Sequence, residues 1–350
     1  MRAAPSAARV TAPVAPPMSR AVLRERLPGY VGQAVLLAVV AWLAWRGIAN
    51  FEANARALGL SAGFGFLRTQ AGFEIAQALI PFSPQSSYLD AVVVATLNTL
   101  LVVALAGILS TIAGLCVAFG RVASPGLVRG AASAYVEVFR NIPLLLQILF
   151  WYASAIVLLP GVGDTLQFGS VLLNNRGLFL PSIHLDTAGA WPFVLDRPHV
   201  DGFDVAGGFA ILPELMALTL GLSIYNSTFL AEIFRAGILS VPPGQIEAAA
   251  TVGLSGARAA WLVTLPQALR VALPAAGGQY QTLAKASSLA AAIGYPDIMQ
   301  IVGGTVASQT SQALEAMSLV VLLYAAINLL IAVAASVANR RLLRHEGRAA

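Results

Sequence analysis

A serine flanked by glycines is the first candidate for chemistry in this sequence. Gly253-Leu-Ser255-Gly256 has the G-x-S-G spacing found around the nucleophile of intramembrane serine proteases. Such a serine needs a base within hydrogen-bond reach. The histidines are His184, His199 and His345, and none lies in an apolar stretch that could meet Ser255. No H-E-x-x-H sequence of a zinc protease is present either. We therefore predict no catalytic and no metal-ligating residue.

Nucleotide chemistry is also missing from the sequence. A phosphate-cradling loop needs Gly-Lys-Ser or Gly-Lys-Thr, whereas the sole lysine, Lys285, follows Ala284. We expect no cofactor bound by this chain, so any ATP hydrolysis must come from another chain. The sole cysteine, Cys116, cannot form an intramolecular disulfide.

The sequence Glu-x-x-Arg occurs twice in candidate helical segments of the chain. Glu137 precedes Arg140, and Glu232 precedes Arg235, with the same spacing of three. Residues three apart share a helix face and can form an ion pair. One interpretation is that these residues anchor helix ends at the membrane interface. The other is that they form a gate and a brace for the loop that follows Arg235.

Several polar residues interrupt apolar stretches. They can line a path for a polar substrate, or they can hydrogen-bond neighbouring helices. Lys285 is the strongest of these candidates, because ionisable residues within membranes usually face a cavity or a partner. Its alternative role is a cation that reaches the lipid headgroups. The candidates are Asn98, Gln147, Asn226, Ser227, Lys285, Ser287 and Ser288.

The composition indicates what positions these residues. The chain of 350 residues is 58% hydrophobic and 11% charged, which is typical of a polytopic membrane protein. A transmembrane helix needs roughly 20 apolar residues to cross about 30 Å of hydrocarbon. Six stretches qualify, the fifth weakly because Pro, Gly and polar residues interrupt it. They are approximately Tyr30 to Ile48, Ala91 to Phe119, Ile142 to Leu159, Phe209 to Leu230, Val271 to Ile293, and Met317 to Val337.

The arginines orient these stretches. Cationic residues resist transfer across the bilayer, so the side with more arginine is cytoplasmic. Fifteen of the 20 arginines fall on one side, and five fall on the other: Arg46, Arg56, Arg68, Arg176 and Arg197. Both termini are therefore predicted to be cytoplasmic. Because the basic residues cluster at the ends of apolar runs, they do not indicate a surface for nucleic acid.

The stretch EAAATVGLSGARAAWLVTLP, residues 247–266, predicts two short helices on the cytoplasmic side. The first can begin at Pro243, where a missing N–H costs nothing. Gly253 fits a left-handed stop, and Ser255 fits the N-cap of the second helix. Pro266 is expected to end that helix. Without further information, a loop lying on the headgroups is an equally good interpretation.

This stretch resembles the EAA loop of ABC importer permeases, whose pattern is E-A-A, three residues, G, nine residues, I, one residue, L-P. Val263 stands in place of the isoleucine. The matching residues are Glu247, Ala248, Ala249, Gly253, Leu265 and Pro266. The segments Leu172–Pro181 and Gly63–Leu67 are similar to the general L-amino acid permeases of the amino-acid branch, although some members of that branch are longer.

The resemblance implies an all-α, polytopic protein with about six transmembrane helices and the type I importer fold. It also implies two separate ATPase subunits docked on the EAA loops, a second permease subunit, an external amino-acid-binding protein and an L-amino acid substrate. Its implied location is the bacterial inner membrane. An ion-coupled secondary transporter is the alternative, although Glu214 is the only carboxylate inside the predicted spans.

These expectations divide the chain into regions. Residues 1–29 form a disordered cytoplasmic arm, and 30–90 form an extra first helix with an external segment. The permease domain covers 91–340, with an external loop at 160–206 and the EAA loop at 240–266. Residues 341–350 form a cytoplasmic tail. A cleaved signal peptide with Ala53-Asn-Ala55 as its cleavage site is an alternative for the first span.

Overall fold

A computed structural model describes residues 20–57, 63–123, 126–185 and 193–344, and it is mostly helical, as predicted. Short 3₁₀ and π segments lie between some of the helices. The α-helices are α1 (Arg20–Ala57), α2 (Tyr88–Val122), α3 (Gly126–Asn141), α4 (Leu144–Leu158), α5 (Pro213–Leu239), α6 (Pro243–Thr251), α7 (Gly256–Ala259), α8 (Leu265–Ala286), α9 (Ala307–Thr310) and α10 (Ala313–Arg344).

The chain divides into two units, Met1–Ala62 and Gly63–Ala350. The described part of the first unit is α1, which contains the apolar stretch Gly29–Gly47 and matches the first predicted span. Helix α1 begins at Arg20, before the predicted end of the arm at residue 29, because this segment is rich in helix-favouring Ala, Leu, Arg and Glu. The rest of the predicted arm and residues 345–350 of the tail lie outside the described residues.

Within the described residues, five helices are long and apolar enough to cross a bilayer, or six if the bent pair α3 and α4 counts as one span. The predictions for the second and sixth spans are confirmed by α2 and α10. Helix α5 is the centre of the second unit, since 67% of its apolar window is buried, against 22% for α2 and 11% for α10. It packs against α2, α4 and α8.

The third predicted span, Ile142 to Leu159, is not one helix long enough to cross the membrane. Helices α3 and α4 meet at 99°, and α4 has 15 residues, which is too short to cross about 30 Å of hydrocarbon alone. Pro143 breaks the helix because it has no N–H to donate. Gln147, which is buried, donates its side-chain amide to the carbonyls of Phe139 (2.7 Å) and Ile142 (3.0 Å) and so satisfies the carbonyls at the break.

The described residues of the predicted external loop fold into a β subdomain, which we define as residues 160–185 and 193–211. A four-stranded antiparallel sheet has the order β1-β2-β3-β8, and two hairpins pair β4 with β5 and β6 with β7. Because Phe209–Ile211 forms the last strand, the fourth span begins at Pro213 rather than at Phe209. The strands are β1 (Leu166–Phe168), β2 (Val171–Asn174), β3 (Gly177–Leu180), β4 (Ser182–Leu185), β5 (Phe193–Asp196), β6 (His199–Asp201), β7 (Asp204–Ala206) and β8 (Phe209–Ile211).

The role of Gln147 at the helix break can be tested. Gln147→Leu leaves the partly buried carbonyls of Phe139 and Ile142 without this donor, so we expect the free energy of unfolding to fall by about 1 to 3 kcal/mol. Thermal unfolding in detergent measures this loss. Leu146→Met is the matched control, because Leu146 is the preceding residue and is exposed. Equal stability of both variants would show that Gln147 does not hold the break.

Candidate functional site

The helix-turn-helix predicted around Gly253 is present. Helix α6 ends at Thr251, and Gly253 has a φ of 79°, a left-handed conformation that favours glycine. The N–H of Gly253 donates to the carbonyl of Ala250 and that of Leu254 to the carbonyl of Ala249, both at 3.0 Å. These two bonds form a Schellman motif, which ends a helix sharply. Ser255 occupies the N-cap of α7, although its side chain makes no capping bond.

Pro266 does not end the second helix, contrary to the prediction. The backbone stays helical from α7 through a π turn at Ala260–Thr264 into α8, where Pro266 lies in the first turn. The N–H of Leu265 donates to the carbonyl of Ala260, five residues back. The π turn, in which N–H groups donate five residues back rather than four, precedes Pro266 and lets the helix accommodate the proline ring. The fifth span is therefore a direct extension of this loop and reaches from Gly256 to Ile293.

Most of α6 is exposed, Glu247 and Ala248 included, whereas Ala249 is buried against the rest of the loop. Apolar side chains extend this surface, with Val252 exposed by 76% and Trp261 by 69%. We define the coupling patch as Ile246, Glu247, Ala248, Val252, Trp261 and Leu262. Exposed apolar patches rimmed by polar residues mark sites of interaction with proteins or membranes.

The two helices that flank the loop touch at their backbones. A Cβ added to Gly237 on α5 would lie 2.5 Å from the carbonyl oxygen of Ala268 on α8, so no other residue fits there. Ile238 and Val241 continue this contact and are buried in one cluster with Ala268 and Ala272. The loop therefore connects α5 to α8, and these two helices are in contact next to it.

Glu232, near the end of α5, links α5 to α2. Its carboxylate accepts a hydrogen bond from Arg121 on α2, and another from Nε of Arg235 at 3.0 Å. The pair with Arg235 matches the predicted spacing. Arg121 was missed as a partner, although its position at the basic end of the second span was a usable signal.

The other predicted pair is not formed. Glu137 is exposed, and the guanidinium of Arg140 lies 4.6 Å from the centre of the Phe229 ring on α5. This cation–π contact uses the same cation that sequence spacing assigned to Glu137. Arg140 therefore links α3 to α5 through an aromatic ring.

Five of the predicted path residues are buried: Asn98, Gln147, Asn226, Ser227 and Ser287. Asn226 and Ser227 link α5 to its neighbours. Asn226 donates to Oγ of Ser110 on α2 at 2.9 Å and accepts from the amide of Gln279 on α8 at 2.8 Å. The hydroxyl of Ser227 lies 2.8 Å from that of Tyr135 on α3. Gln279 and Ser110 were missed by the sequence analysis, because their partners are far away along the chain.

Asn98 holds a loop against α2. Its side-chain amide donates to the backbone carbonyls of Gln77 (2.7 Å) and Pro296 (2.9 Å), and the backbone carbonyl of Asn98 accepts from the hydroxyl of Tyr295. Asp297, which follows Pro296, is buried and accepts a hydrogen bond from the hydroxyl of Tyr324 at 2.8 Å. Asn98 and Gln147 are thus engaged within the protein.

Lys285 lies on the exposed face of α8. The same face exposes Gly278 and Thr282, and beside it a cavity of about 240 Å³ is bordered by Gln281, Ser336 and Asn339. Ser287 and Ser288 turn back to the helix and donate to the carbonyls of Ala284 and Lys285, each at 2.8 Å. Among the predicted path residues, Lys285 alone is exposed on this face of the described structure.

The ion pairs of Glu232 can be tested by comparison with Glu137, which precedes an arginine by the same spacing. Glu232→Gln removes the charge that two arginines share, and we expect the free energy of unfolding to fall by about 1 to 3 kcal/mol. Glu137→Gln is the matched control and should stay within about 0.5 kcal/mol of the wild type, since Glu137 forms no ion pair within the described residues. Thermal unfolding in detergent compares them. Equal losses would contradict the assignment.

Comparison with known proteins identifies a family and similar sequences. The family described as "Binding-protein-dependent transport system inner membrane component" matches residues 109–344. The putative amino-acid ABC transporter permease protein YhdX of Escherichia coli is 36% identical over 361 residues, 88% of this chain and 91% of the relative. The general L-amino acid transport system permease protein AapQ of Rhizobium johnstonii is 35% identical and covers 85% of this chain and 88% of the relative.

The fold has a counterpart among solved structures. The crystal structure of an amino acid ABC transporter with histidines superposes with a TM-score of 0.51 and 26% identity, over 73% of this chain and 95% of that chain. The helical architecture is therefore that of the type I importer permeases. The family match covers the central spans, the coupling patch and the last helix. The chain belongs to the family of binding-protein-dependent transport system inner membrane components, which are transport subunits rather than enzymes.

Proposed function

We propose that the chain is the membrane-spanning permease subunit of an ATP-driven importer of L-amino acids. The observation that carries this proposal is the coupling patch, an exposed surface at one end of a packed helix bundle in a chain that contains no nucleotide-binding loop of its own. The amino-acid substrate is supported by the names of both relatives. The name of AapQ favours a broad rather than a narrow range of L-amino acids.

Coupling runs through the EAA loop in this proposal. Two ATPase subunits dock on the loops of two permease subunits, and ATP is bound and hydrolysed by the ATPases. Helix α6 meets them with Glu247 and Ala248. Because α7 continues into α8 without a break, a displacement of the patch moves α8 directly.

Helix α5 supports the proposed orientation. Its 27 residues span about 40 Å at 1.5 Å per residue, with the β subdomain before its first residue and α6 after its last. The coupling patch and the β subdomain therefore lie at opposite ends of a membrane-spanning helix. We infer that the patch and both termini are cytoplasmic, that the β subdomain is external, and that the protein lies in the bacterial inner membrane.

The translocation path is assigned to the exposed face of α8. A lysine that faces hydrocarbon is unfavourable, so in this proposal the exposed Lys285 faces water or another protein. A second permease subunit packed opposite this face encloses a polar path. Lys285, Gly278 and Thr282 then line it, while Asn98, Gln147, Asn226 and Ser227 hold its walls.

A secondary transporter driven by an ion gradient is less well supported. Such a transporter needs a carboxylate that is free to bind the ion in the path. Glu232 is engaged by two arginines, and Glu214 accepts a hydrogen bond from Tyr152 at 3.2 Å in the first turn of α5. Neither carboxylate lies on the exposed face of α8.

Substitutions in the coupling patch test the docking role. Glu247→Arg and Gly253→Trp should leave membrane insertion intact and abolish ATPase co-purification and amino-acid uptake. The first reverses a charge, and the second places a large side chain in a left-handed conformation. Ser255→Ala is the matched control, because its side chain makes no capping bond. Full uptake by either substituted protein would contradict the coupling assignment.

The energy source is tested separately. Sealed right-side-out vesicles that contain the whole complex, with the binding protein outside, should take up a labelled amino acid only when ATP is supplied to the ATPases inside. An ionophore that collapses the ion gradient should leave this uptake unchanged. Uptake that persists without ATP and disappears with the gradient would establish the secondary transporter instead.

A further inference from the structure

We propose that a groove between α2, α8 and α10 binds an acyl chain of an anionic phospholipid from the cytoplasmic leaflet, with the lipid headgroup at the basic end of the groove. The cytoplasmic end is the one that the proposed function assigns, and this proposal rests on that assignment. The groove, which we call the acyl groove, has a volume of about 540 Å³. Its lining includes Ile108, Ile112, Leu273, Ile331, Ala334 and Ala338.

The polarity of the acyl groove excludes a polar occupant. The only polar side chains in its lining are the hydroxyls of Thr111 and Tyr280, which lie 2.7 Å apart. Thr111 donates its single proton to the carbonyl of Gly107 at 2.6 Å, so it accepts from Tyr280. Neither hydroxyl then has a proton left for a ligand. The acyl groove therefore offers dispersion contacts, which suit hydrocarbon.

The length of the acyl groove matches one leaflet of a bilayer. On α8 its lining runs from Leu273 to Leu283, a rise of about 15 Å at about 1.5 Å per residue. One leaflet contributes half of a hydrocarbon core of about 30 Å. On α10 the lining runs from Ile331 to Ala338, in the half of the helix that is nearer its last residue, Arg344. The acyl groove therefore lies along the cytoplasmic leaflet.

The volume of the acyl groove fits a hydrocarbon chain better than a protein helix. An α-helix with its side chains is about 10 Å across, so a length of about 15 Å occupies roughly 1,200 Å³. This is about twice the volume of the acyl groove. A helix of another subunit is thus too thick to enter it, whereas a flexible acyl chain can follow it.

Basic residues continue the acyl groove beyond its cytoplasmic end. On α10, Arg341 is exposed and follows Ala338 by three residues. On α8, Arg270 is half-exposed and precedes Leu273 by the same spacing. Residues three apart share a helix face. Neither α8 nor the part of α10 after Glu315 contains an acidic residue, so the charge of both helices here is positive. Basic sites between helices on the cytoplasmic side suit anionic headgroups.

Filling the acyl groove tests the binding of the chain. The complex, purified through a tag on this chain, is placed in nanodiscs of equal phosphatidylglycerol and phosphatidylcholine and is then washed in detergent. Mass spectrometry measures the phospholipid retained per complex. Ala104→Phe and Ala334→Phe, at exposed alanines that line the acyl groove, should each lower the retained phospholipid at least threefold. Ala326→Phe is the matched control, because Ala326 is exposed on α10 outside the lining. Unchanged retention in both groove variants would overturn the proposal.

The headgroup is tested with two adjacent arginines. Arg341→Gln should lower the retained ratio of phosphatidylglycerol to phosphatidylcholine at least threefold. Arg340→Gln should leave this ratio unchanged, because Arg340 is also exposed but lies about 100° away around the helix. Equal changes in both variants would show that general surface charge attracts the lipid, and would overturn the headgroup assignment.

A photo-crosslinking residue at position 334 identifies the occupant independently, in liposomes of phosphatidylethanolamine and phosphatidylglycerol. Crosslinks to phospholipid support the proposal, whereas crosslinks to protein, either a partner or another part of this chain, overturn it. These measurements need neither ATP nor an amino acid. A negative result therefore leaves the proposed function intact, and a failed uptake experiment does not alter the lipid measurements.

Discussion

The backbone contact between α5 and α8 at Gly237 and Ala268 is the constraint on which the rest of the structure depends. The two helices flank the coupling patch, and the carbonyl of Ala268 occupies the space that a side chain at position 237 would need. Higher in the bundle, Asn226 and Gln279 join the same two helices by a hydrogen bond. Since α7 continues into α8, the patch, α5 and α8 form one mechanical unit.

The bilayer explains how the polar residues are divided. Hydrocarbon offers no hydrogen bonds, so a polar group within it must find a partner in the protein or face a cavity. Asn98, Gln147 and Asn226 hydrogen-bond within the protein. Asn98 holds the segment at Pro296 against α2, and Gln147 bonds the carbonyls at the break before α4. Asn226 joins α5 to α2. Lys285 lies instead on the exposed face of α8, which makes that face the side on which a second subunit and a substrate path are expected.

Sequence analysis could predict features that depend on local chemistry. The apolar runs of α2 and α10, the left-handed Gly253 and the Glu232–Arg235 spacing are all encoded within a few residues. It could not predict features decided by neighbours. Pro266 was expected to end a helix, but the π turn before it lets the helix continue. Arg121 and Glu232 are 111 residues apart, so the position of Arg121 at the end of the second span could be predicted but its pairing with Glu232 could not. The strands of the β subdomain are three or four residues long, too short for an alternating pattern to be recognised.

The most direct test of the account measures whether α5 and α8 move as one unit. In a Cys116→Ser background, spin labels at Leu220 on α5 and Val271 on α8, both exposed, report the distance between the helices by double electron–electron resonance. An excess of unlabelled chain keeps one labelled subunit in each complex. The account predicts the same distance distribution in the nucleotide-free and ATP-bound complexes. Two different distributions would show that the helices separate during the cycle and would contradict it.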